Sequence, residues 1–144
     1  MASTMALNTV KTTFGFLATL LRKVGILRWD SQFLEHIYNY VPISEMVSTS
    51  GQPSEADLRL IKNAGFRTIV NLAPHNAENS LPDEQQSVDN LGLGYIHIPV
   101  DFKNPTDADF EKFVEVMQGL DGSKVWVHCA ANMRVSAFIY RYVT

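Results

Sequence analysis

The sequence predicts an α/β fold with a mostly parallel central sheet flanked by helices. From residue 37 onward, short β-branched or apolar segments alternate with segments of helical periodicity. Helix-capping residues and glycine stops separate them, a pattern typical of strands joined by crossover helices. With 144 residues and 46% hydrophobic residues, the chain can bury a sizeable core as one domain. The formal net charge of −3 gives no indication of nucleic-acid binding.

The first half of this pattern contains a strand, a loop, a helix and a second strand. Residues 37–44 (IYNYVPIS) are expected to form the opening strand, and residues 48–54 (STSGQPS) a turn-rich loop. Ser54 followed three residues later by Asp57 predicts a capping box, so a helix should begin there. The β-branched segment 66–72 (FRTIVNL) then predicts a buried strand.

The second half repeats the alternation and ends on a helix. We expect, in order, a helix over 82–91, a strand over 95–100, a loop over 101–105, a helix capped by Thr106 and Asp109, a strand over 124–129 and a helix from Arg134. Ligands of such sheets bind beyond the carboxyl ends of the strands. Cys129 lies at one of these ends.

The chain divides into an N-terminal helical extension, residues 1–36, and a domain over residues 37–144. The apolar stretch 12–21 is too short to cross a bilayer, which needs about 20 residues, and no small-residue cleavage site follows it. Apolar residues of the segment 14–27 recur at helical spacing: Phe14, Leu17, Leu20, Leu21, Val24 and Leu27. We expect a helix that packs on the domain or joins two copies as a homodimer, with binding at a membrane surface as the alternative.

Residues 129–134 (CAANMR) place the single cysteine and an arginine at the two ends of a strand-to-helix loop. Backbone N–H groups and a helix N-terminus at such a loop form an anion cradle and also stabilise a thiolate. An arginine in the first helical turn can bind two phosphate oxygens at once. We therefore expect the Cys129 thiolate to attack phosphorus and form a phosphocysteine, with no metal or other cofactor. A buried, inert cysteine is the alternative interpretation.

The departing oxygen of such a reaction needs a proton, and Asp101 is the best candidate to supply it. It directly follows the predicted strand 95–100, whose end should lie near that of the last strand. Asp107 and Asp109 are weaker candidates because helix capping explains them. His75 and Asn76 follow another strand and are possible substrate contacts, although a solvated loop explains all of these positions as well.

Three segments resemble a known enzyme family. HCAANMRVS (128–136) resembles the phosphate-binding loop of the cysteine-dependent protein tyrosine and dual-specificity phosphatases. STSGQPSEADLRLIKNAGFRTIVNL (48–72) and YIHIPVDF (95–102) resemble a bacterial, dual-specificity-like branch of that superfamily. The resemblance runs from about Ile37 to Tyr142. It implies a cysteine-phosphatase-like fold, here with an extra N-terminal helical segment and a truncated C-terminal helical region.

The resemblance also implies roles for individual residues. These are Cys129 as nucleophile, Arg134 as phosphate ligand, Asp101 as general acid, His128 as hydrogen-bonding support of the thiolate, and Ser136 as the hydroxyl that helps the thiolate leave phosphocysteine. The family places five residues, with a central glycine, between the cysteine and the arginine. This chain has four, namely Ala130, Ala131, Asn132 and Met133.

Two alignments explain this shorter Cys-x4-Arg loop. Either one residue is missing, or Asn132 occupies the glycine position and Arg134 comes one residue early, a helical rotation of about 100°. A four-residue loop also resembles that of the rhodanese sulfurtransferases, which holds a single sulfur atom.

The function expected from these observations is a cysteine phosphatase that hydrolyses phosphotyrosine or other phosphomonoesters. Its partners would be a phosphorylated protein or a small phosphomonoester, and a reduced thiol is typical of the cytoplasm. The alternatives are a pseudophosphatase that binds phosphate-like or sulfate-like anions without turnover, and a rhodanese-like sulfurtransferase.

Overall fold

The computed structural model describes residues 34–143 except for 75, 76, 78 and 102. The helix expected within the N-terminal extension therefore lies outside the described residues, and so do His75 and Asn76. In the part of the chain that is described, none of the helices has the length and apolar character needed to cross a membrane.

The described residues contain nine elements in succession. They are β1 (Val41–Pro42), β2 (Val47–Ser50), α1 (Glu55–Asn63), β3 (Thr68–Asn71), α2 (Glu84–Asn90), β4 (Gly94–His97), α3 (Asp107–Gly119), β5 (Val125–His128) and α4 (Met133–Val143). The predicted capping boxes are confirmed: Ser54 with Asp57 begins α1, and Thr106 with Asp109 begins α3. Each box satisfies backbone N–H groups that have no partner within the helix.

The five strands form one sheet in the order β1-β2-β5-β3-β4. Only the β1–β2 pair is antiparallel, and the other three pairs are parallel. The predicted fold class, a mostly parallel sheet flanked by helices, is therefore confirmed. The last strand in sequence, β5, lies at the centre of the sheet, so the loop that follows it is surrounded by the ends of its neighbours.

Hydrophobic layers cover both faces of the sheet. One layer joins the strands to α3 and α4, mainly through Val70, Val125, Val127, Phe113, Met117, Val135, Phe138 and Ile139. The other joins them to α1 and α2, mainly through Leu58, Ile61, Ile69, Val88 and Trp126. Successive residues of a strand point to opposite faces, so Trp126 enters one layer while Val125 and Val127 enter the other.

Two predictions for the first strands were wrong. The segment 48–54, expected as a loop, contains most of β2, and the strand expected over 37–44 is reduced to Val41–Pro42. Serine and threonine can form this buried strand because their hydroxyls are hydrogen-bonded inside the protein. Thr49 Oγ1 donates to Val41 O over 2.8 Å, and Ser50 Oγ accepts from Trp126 Nε1 over 2.9 Å.

Candidate functional site

The segment 129–132 connects β5 to α4 at the carboxyl edge of the sheet. Leu72 donates its N–H to His128 O over 2.8 Å, and its own carbonyl accepts from Val100 N over 3.0 Å. The sheet pairing thus continues past the strand ends. It brings the residues just before Asp101 to the same edge as the loop that begins at Cys129.

The side chain of Cys129 is completely buried, with 0% exposure. It belongs to the hydrophobic layer that α3 and α4 form, beside Leu72, Val100 and Val135. Hydrophobic side chains of this layer surround the sulfur, which solvent does not reach in this structure.

The carbonyl groups of the loop point outward and are held by neighbouring segments. Ala130 O accepts two hydrogen bonds, from Gln52 N over 3.1 Å and from Asn79 Nδ2 over 2.9 Å. Ala131 O accepts one from Asn39 Nδ2 over 3.0 Å. Three segments distant in sequence therefore fix the orientation of these two peptide groups.

The third carbonyl is fixed by the helix that follows. Asn132 O accepts from Ser136 N over 3.2 Å and from Ser136 Oγ over 2.7 Å. In a trans peptide the N–H points opposite to the C=O, so the N–H groups of Ala131, Asn132 and Met133 face the inner side of the loop. Within the described residues, none of these three N–H groups donates to a protein acceptor.

Asn132 holds the loop in a left-handed backbone conformation, with φ of 65°. Its Nδ2 donates to Asn39 O over 2.9 Å and to Thr49 Oγ1 over 3.1 Å. Asparagine tolerates this conformation better than most residues. The conformation is the one that the central glycine would supply in the alignment that places Asn132 at the glycine position.

Replacing Asn132 separates the contribution of its side-chain hydrogen bonds to stability from that of its left-handed backbone conformation. Asn132→Ala should lower the free energy of unfolding by about 2–4 kcal/mol, because it removes two hydrogen bonds and strains the backbone. Asn132→Gly removes the same hydrogen bonds without the strain, so it should cost about 1 kcal/mol less. Urea unfolding of the two variants measures the difference. Equal losses would contradict a role for the left-handed conformation.

A buried ion pair lies behind the loop. His128 Nε2 is 2.7 Å from Glu84 Oε2, and Glu84 Oε1 accepts from Gln52 Nε2 over 2.6 Å. His128 has 0% exposure and Glu84 7%. Burial favours the neutral form of Glu84, but the hydrogen bond and charge of His128, together with the hydrogen bond from Gln52, outweigh it, and the pKa of Glu84 is lowered.

This lowered pKa makes stability depend on pH. The unfolded chain takes up a proton at Glu84 more readily than the folded one, so the stabilisation is complete above the ordinary pKa of 4.5 and is lost as the pH falls through the lower folded value. We expect Glu84→Gln to reduce the slope of unfolding free energy against pH below about 4.5. Urea unfolding at several pH values measures this slope. The exposed Asp89, on the same helix, supplies the control Asp89→Asn, and an unchanged slope in Glu84→Gln would contradict the expectation.

The other predicted site residues occupy different environments. Arg134 lies in the first turn of α4 and is half-buried. Ser136 is also half-buried, and its hydroxyl proton goes to Asn132 O. Asp101 is exposed, and its Oδ1 accepts from Lys103 N over 2.9 Å within its own loop. The structure thus joins Ser136 to the loop backbone and His128 to Glu84, and it leaves the Asp101 carboxylate at the solvent-facing rim.

Sequence reasoning missed four residues that hold the loop and His128: Asn39, Gln52, Asn79 and Glu84. Glu84 stands in the first turn of α2, where an acid is normally explained by the helix dipole. Its burial was the missing signal, and a single sequence does not display burial of a charged residue.

Among the cavities that the described residues form, one borders the loop and another lies next to Glu84, and Cys129 and Arg134 line neither of these. One, of about 380 Å³, lies between residues 39–41 and the start of α4. The other, of about 280 Å³, is polar and lies beyond Glu84, where Asn71 donates to the Tyr95 hydroxyl over 3.0 Å. Burial raises the pKa of Tyr95 to about 12, so this hydroxyl stays neutral at physiological pH.

Comparison with curated proteins finds β-lactamase hydrolase-like proteins of Xylella fastidiosa and Agrobacterium fabrum. The protein of Xylella fastidiosa strain Temecula1 is 34% identical over 97 residues, which are 65% of this chain and 22% of that protein. The protein of Agrobacterium fabrum is 32% identical over the same length and the same shares. This chain therefore spans about a fifth of the length of these relatives.

Comparison with solved structures finds phosphatase folds. A DUF442 protein of Shewanella putrefaciens CN-32, described as a candidate phosphatase, is 38% identical, with a TM-score of 0.73 over 78% of this chain and 71% of that chain. A candidate phosphatase of Neisseria meningitidis is 27% identical, with a TM-score of 0.57 over 67% of this chain and 70% of that chain.

The family match covers most of the described domain. Residues 41–144 match the family described as DSP-PTPase phosphatase fused to NAD+ kinase. This match includes the strands and helices given above, β1 to β5 and α1 to α4, and the loop after β5. The solved relatives have the same phosphatase fold. The chain therefore belongs to the DSP-PTPase phosphatase family, a bacterial branch of the dual-specificity-like cysteine phosphatases.

Proposed function

We propose that this protein is a cysteine-dependent phosphatase that hydrolyses phosphomonoesters, phosphotyrosine among them, through a phosphocysteine intermediate. The observation that supports it best is the orientation of the loop after Cys129. The carbonyls of residues 130 and 131 are held by distant segments and that of Asn132 by α4, which turns the N–H groups of residues 131–133 inward. Such a ring of N–H groups, at the N-terminus of α4, favours an oxyanion.

The chemistry assigns a role to each residue of the site. The Cys129 thiolate attacks phosphorus, a sulfur–phosphorus bond forms, and the ester oxygen leaves with a proton from Asp101. Water then attacks the phosphocysteine, Asp101 takes a proton back, and inorganic phosphate and the thiolate are released. Arg134 and the loop N–H groups bind the phosphoryl oxygens, because such transfers depend chiefly on positioning and charge stabilisation. Ser136 would assist the departure of the thiolate.

The substrate would be a phosphorylated protein side chain or a small phosphomonoester, and the leaving group would be its hydroxyl-bearing part without the phosphoryl group. The cavities at the start of α4 and next to Glu84 are the candidate positions for this group. The reduced thiol that this mechanism requires fits the cytoplasm. The N-terminal extension is a candidate contact between two copies.

The deciding experiment combines turnover with trapping. The protein is incubated with an aryl phosphate, and a second sample is quenched in acid within milliseconds and analysed by mass spectrometry. We expect steady release of phosphate, and one added phosphoryl group on the peptide that contains Cys129. Binding of phosphate or vanadate without turnover would identify a pseudophosphatase instead. The absence of both anion binding and turnover would refute the proposal.

A sulfurtransferase is the second candidate, and two observations favour it. The loop between Cys129 and Arg134 has only four residues, and the sulfur is fully buried. A single sulfur atom fits such a space more easily than a phosphomonoester. In this reaction the thiolate attacks the outer sulfur of thiosulfate, sulfite leaves, and cyanide then removes the sulfur from the persulfide as thiocyanate. A persulfide on Cys129 together with thiocyanate formation would establish it, and absence of both would eliminate it.

A further inference from the structure

His128 has a hydrogen-bond acceptor beside each ring nitrogen. Nε2 faces Glu84 Oε2 at 2.7 Å, and Nδ1 faces Cys129 O at 3.3 Å. A carboxylate and a peptide carbonyl can only accept hydrogen bonds. A neutral imidazole has one N–H and satisfies one of them, whereas an imidazolium donates to both. The geometry therefore fits a protonated His128 next to the cysteine.

Glu84 is the counter-charge that such a cation requires. A charge at 0% exposure is costly unless it is paired and hydrogen-bonded. The second carboxylate oxygen of Glu84 is held by Gln52 Nε2, which also donates to Pro53 O over 3.0 Å. Because the carboxylate is fixed from both sides, it fixes the ring of His128 in turn.

We propose that Glu84 is a positioning residue of this site: it holds His128 as an imidazolium whose Nδ1–H anchors the Cys129 carbonyl and whose charge stabilises the neighbouring thiolate. Its role in turnover rests on the proposed phosphatase function. Glu84 touches neither phosphate nor substrate, and its influence passes through His128. The proposal accounts for a buried carboxylate that the phosphatase mechanism itself does not use.

Tyr95 and His97 of β4 also interact with Glu84, and their effects have to be separated from that of His128. The charge of Asp83, which precedes α2, acts on Tyr95. Tyr95 has a pKa of about 12, so it does not titrate between pH 5 and 9. A charge on His97 would also favour the ionised carboxylate. A variant of His128 is therefore needed beside any variant of Glu84.

The first test measures the reactivity of Cys129 directly. Because the chain has one cysteine, the rate of alkylation by iodoacetamide as a function of pH reports on that thiolate alone. In Glu84→Gln we expect the pH at which alkylation is half-maximal to rise by about one unit or more. The reason is that His128 loses its charge without Glu84, and loss of a nearby opposite charge disfavours the thiolate by about this amount. The control Asp89→Asn removes an exposed carboxylate from the same helix and should leave the profile unchanged. An unchanged profile in Glu84→Gln overturns the proposal, and so does a Cys129 that is never alkylated in the folded protein.

The second test asks whether Glu84 acts through His128. If it does, Glu84→Gln combined with His128→Gln should react no more slowly than His128→Gln alone, since the pair works as a unit. Additive losses would overturn the proposal. Glu84→Asp keeps the charge and should recover part of the wild-type profile, which provides a measurement if Glu84→Gln folds poorly. Thermal unfolding shows whether each variant is folded under the assay conditions.

Turnover separates the two proposals. With an aryl phosphate we expect Glu84→Gln to lower kcat about tenfold and to change KM less than about twofold. If alkylation shifts but the wild-type protein hydrolyses no phosphomonoester, the role of Glu84 stands and the phosphatase proposal fails. If the wild-type protein turns over the aryl phosphate but Glu84→Gln changes neither the alkylation profile nor kcat, the role of Glu84 fails and the phosphatase proposal stands.

Discussion

Replacing Cys129 with serine should lower the turnover of an aryl phosphate by at least about 10³-fold, because a hydroxyl at neutral pH is a far weaker nucleophile than a thiolate. The loop peptides keep their outward hydrogen bonds in this variant, since backbone and side-chain atoms of other residues make them. Steady-state kinetics with wild-type protein prepared in parallel measures the loss.

Binding of the anion distinguishes this chemical loss from a folding defect. The variant should bind phosphate or vanadate about as well as the wild type, because the loop N–H groups and Arg134 are retained. The hydroxyl of Cys129→Ser, placed in the apolar surroundings of this position, costs about 1–3 kcal/mol of stability. The assays should therefore be run well below the melting temperature of the variant. Cys129→Ala avoids the buried hydroxyl and should be equally inactive. Substantial turnover in either variant would contradict a nucleophilic role for this cysteine.

Replacing Arg134 with lysine should cost about 10²–10³-fold in kcat/KM. A guanidinium can bind two phosphoryl oxygens in one plane, whereas an ammonium acts as a single point charge. Loss of one preorganised donor to a developing oxyanion typically has an effect of this size. The position in the first turn of α4 retains a positive charge in the variant, so the effect reports on geometry.

Arg141 provides the matched control on the same helix. Its guanidinium is exposed and donates to Asp107 Oδ1 over 2.9 Å at the far end of α4. Arg141→Lys should therefore leave kcat/KM unchanged and alter stability by less than about 1 kcal/mol. If Arg134→Lys were as active as Arg141→Lys, the early arginine of this four-residue loop would not bind the phosphoryl group, and the pseudophosphatase and sulfurtransferase alternatives would gain support.

The fold class was predictable because its signals are local. A capping box needs only two residues three positions apart, and both predicted boxes, at Ser54 and Thr106, are present. The buried strands β3 and β5 are β-branched and apolar throughout most of their length. In contrast, β2 has the composition of a loop, and only the acceptors and donors around it reveal why its hydroxyls can be buried.

The position of the loop was also predictable, because an apolar strand ends at Cys129 and a helical segment begins near Arg134. How the loop is held was not. Asn39 bonds to a carbonyl 92 residues away, and Glu84 bonds to a histidine 44 residues away. Contacts over such separations follow from the order of the strands in the sheet, which no local pattern encodes.

The amino-acid order alone determined which reactive groups stand at the end of the last strand, a thiol and a guanidinium with four residues between them, and that an α/β sheet carries them. Only the tertiary structure decided the direction of the loop peptides, the complete burial of the sulfur and the counter-charge behind His128. The physical reason is that hydrogen-bond direction and desolvation depend on which groups meet in space, whereas helix caps and strand composition depend on neighbours along the chain.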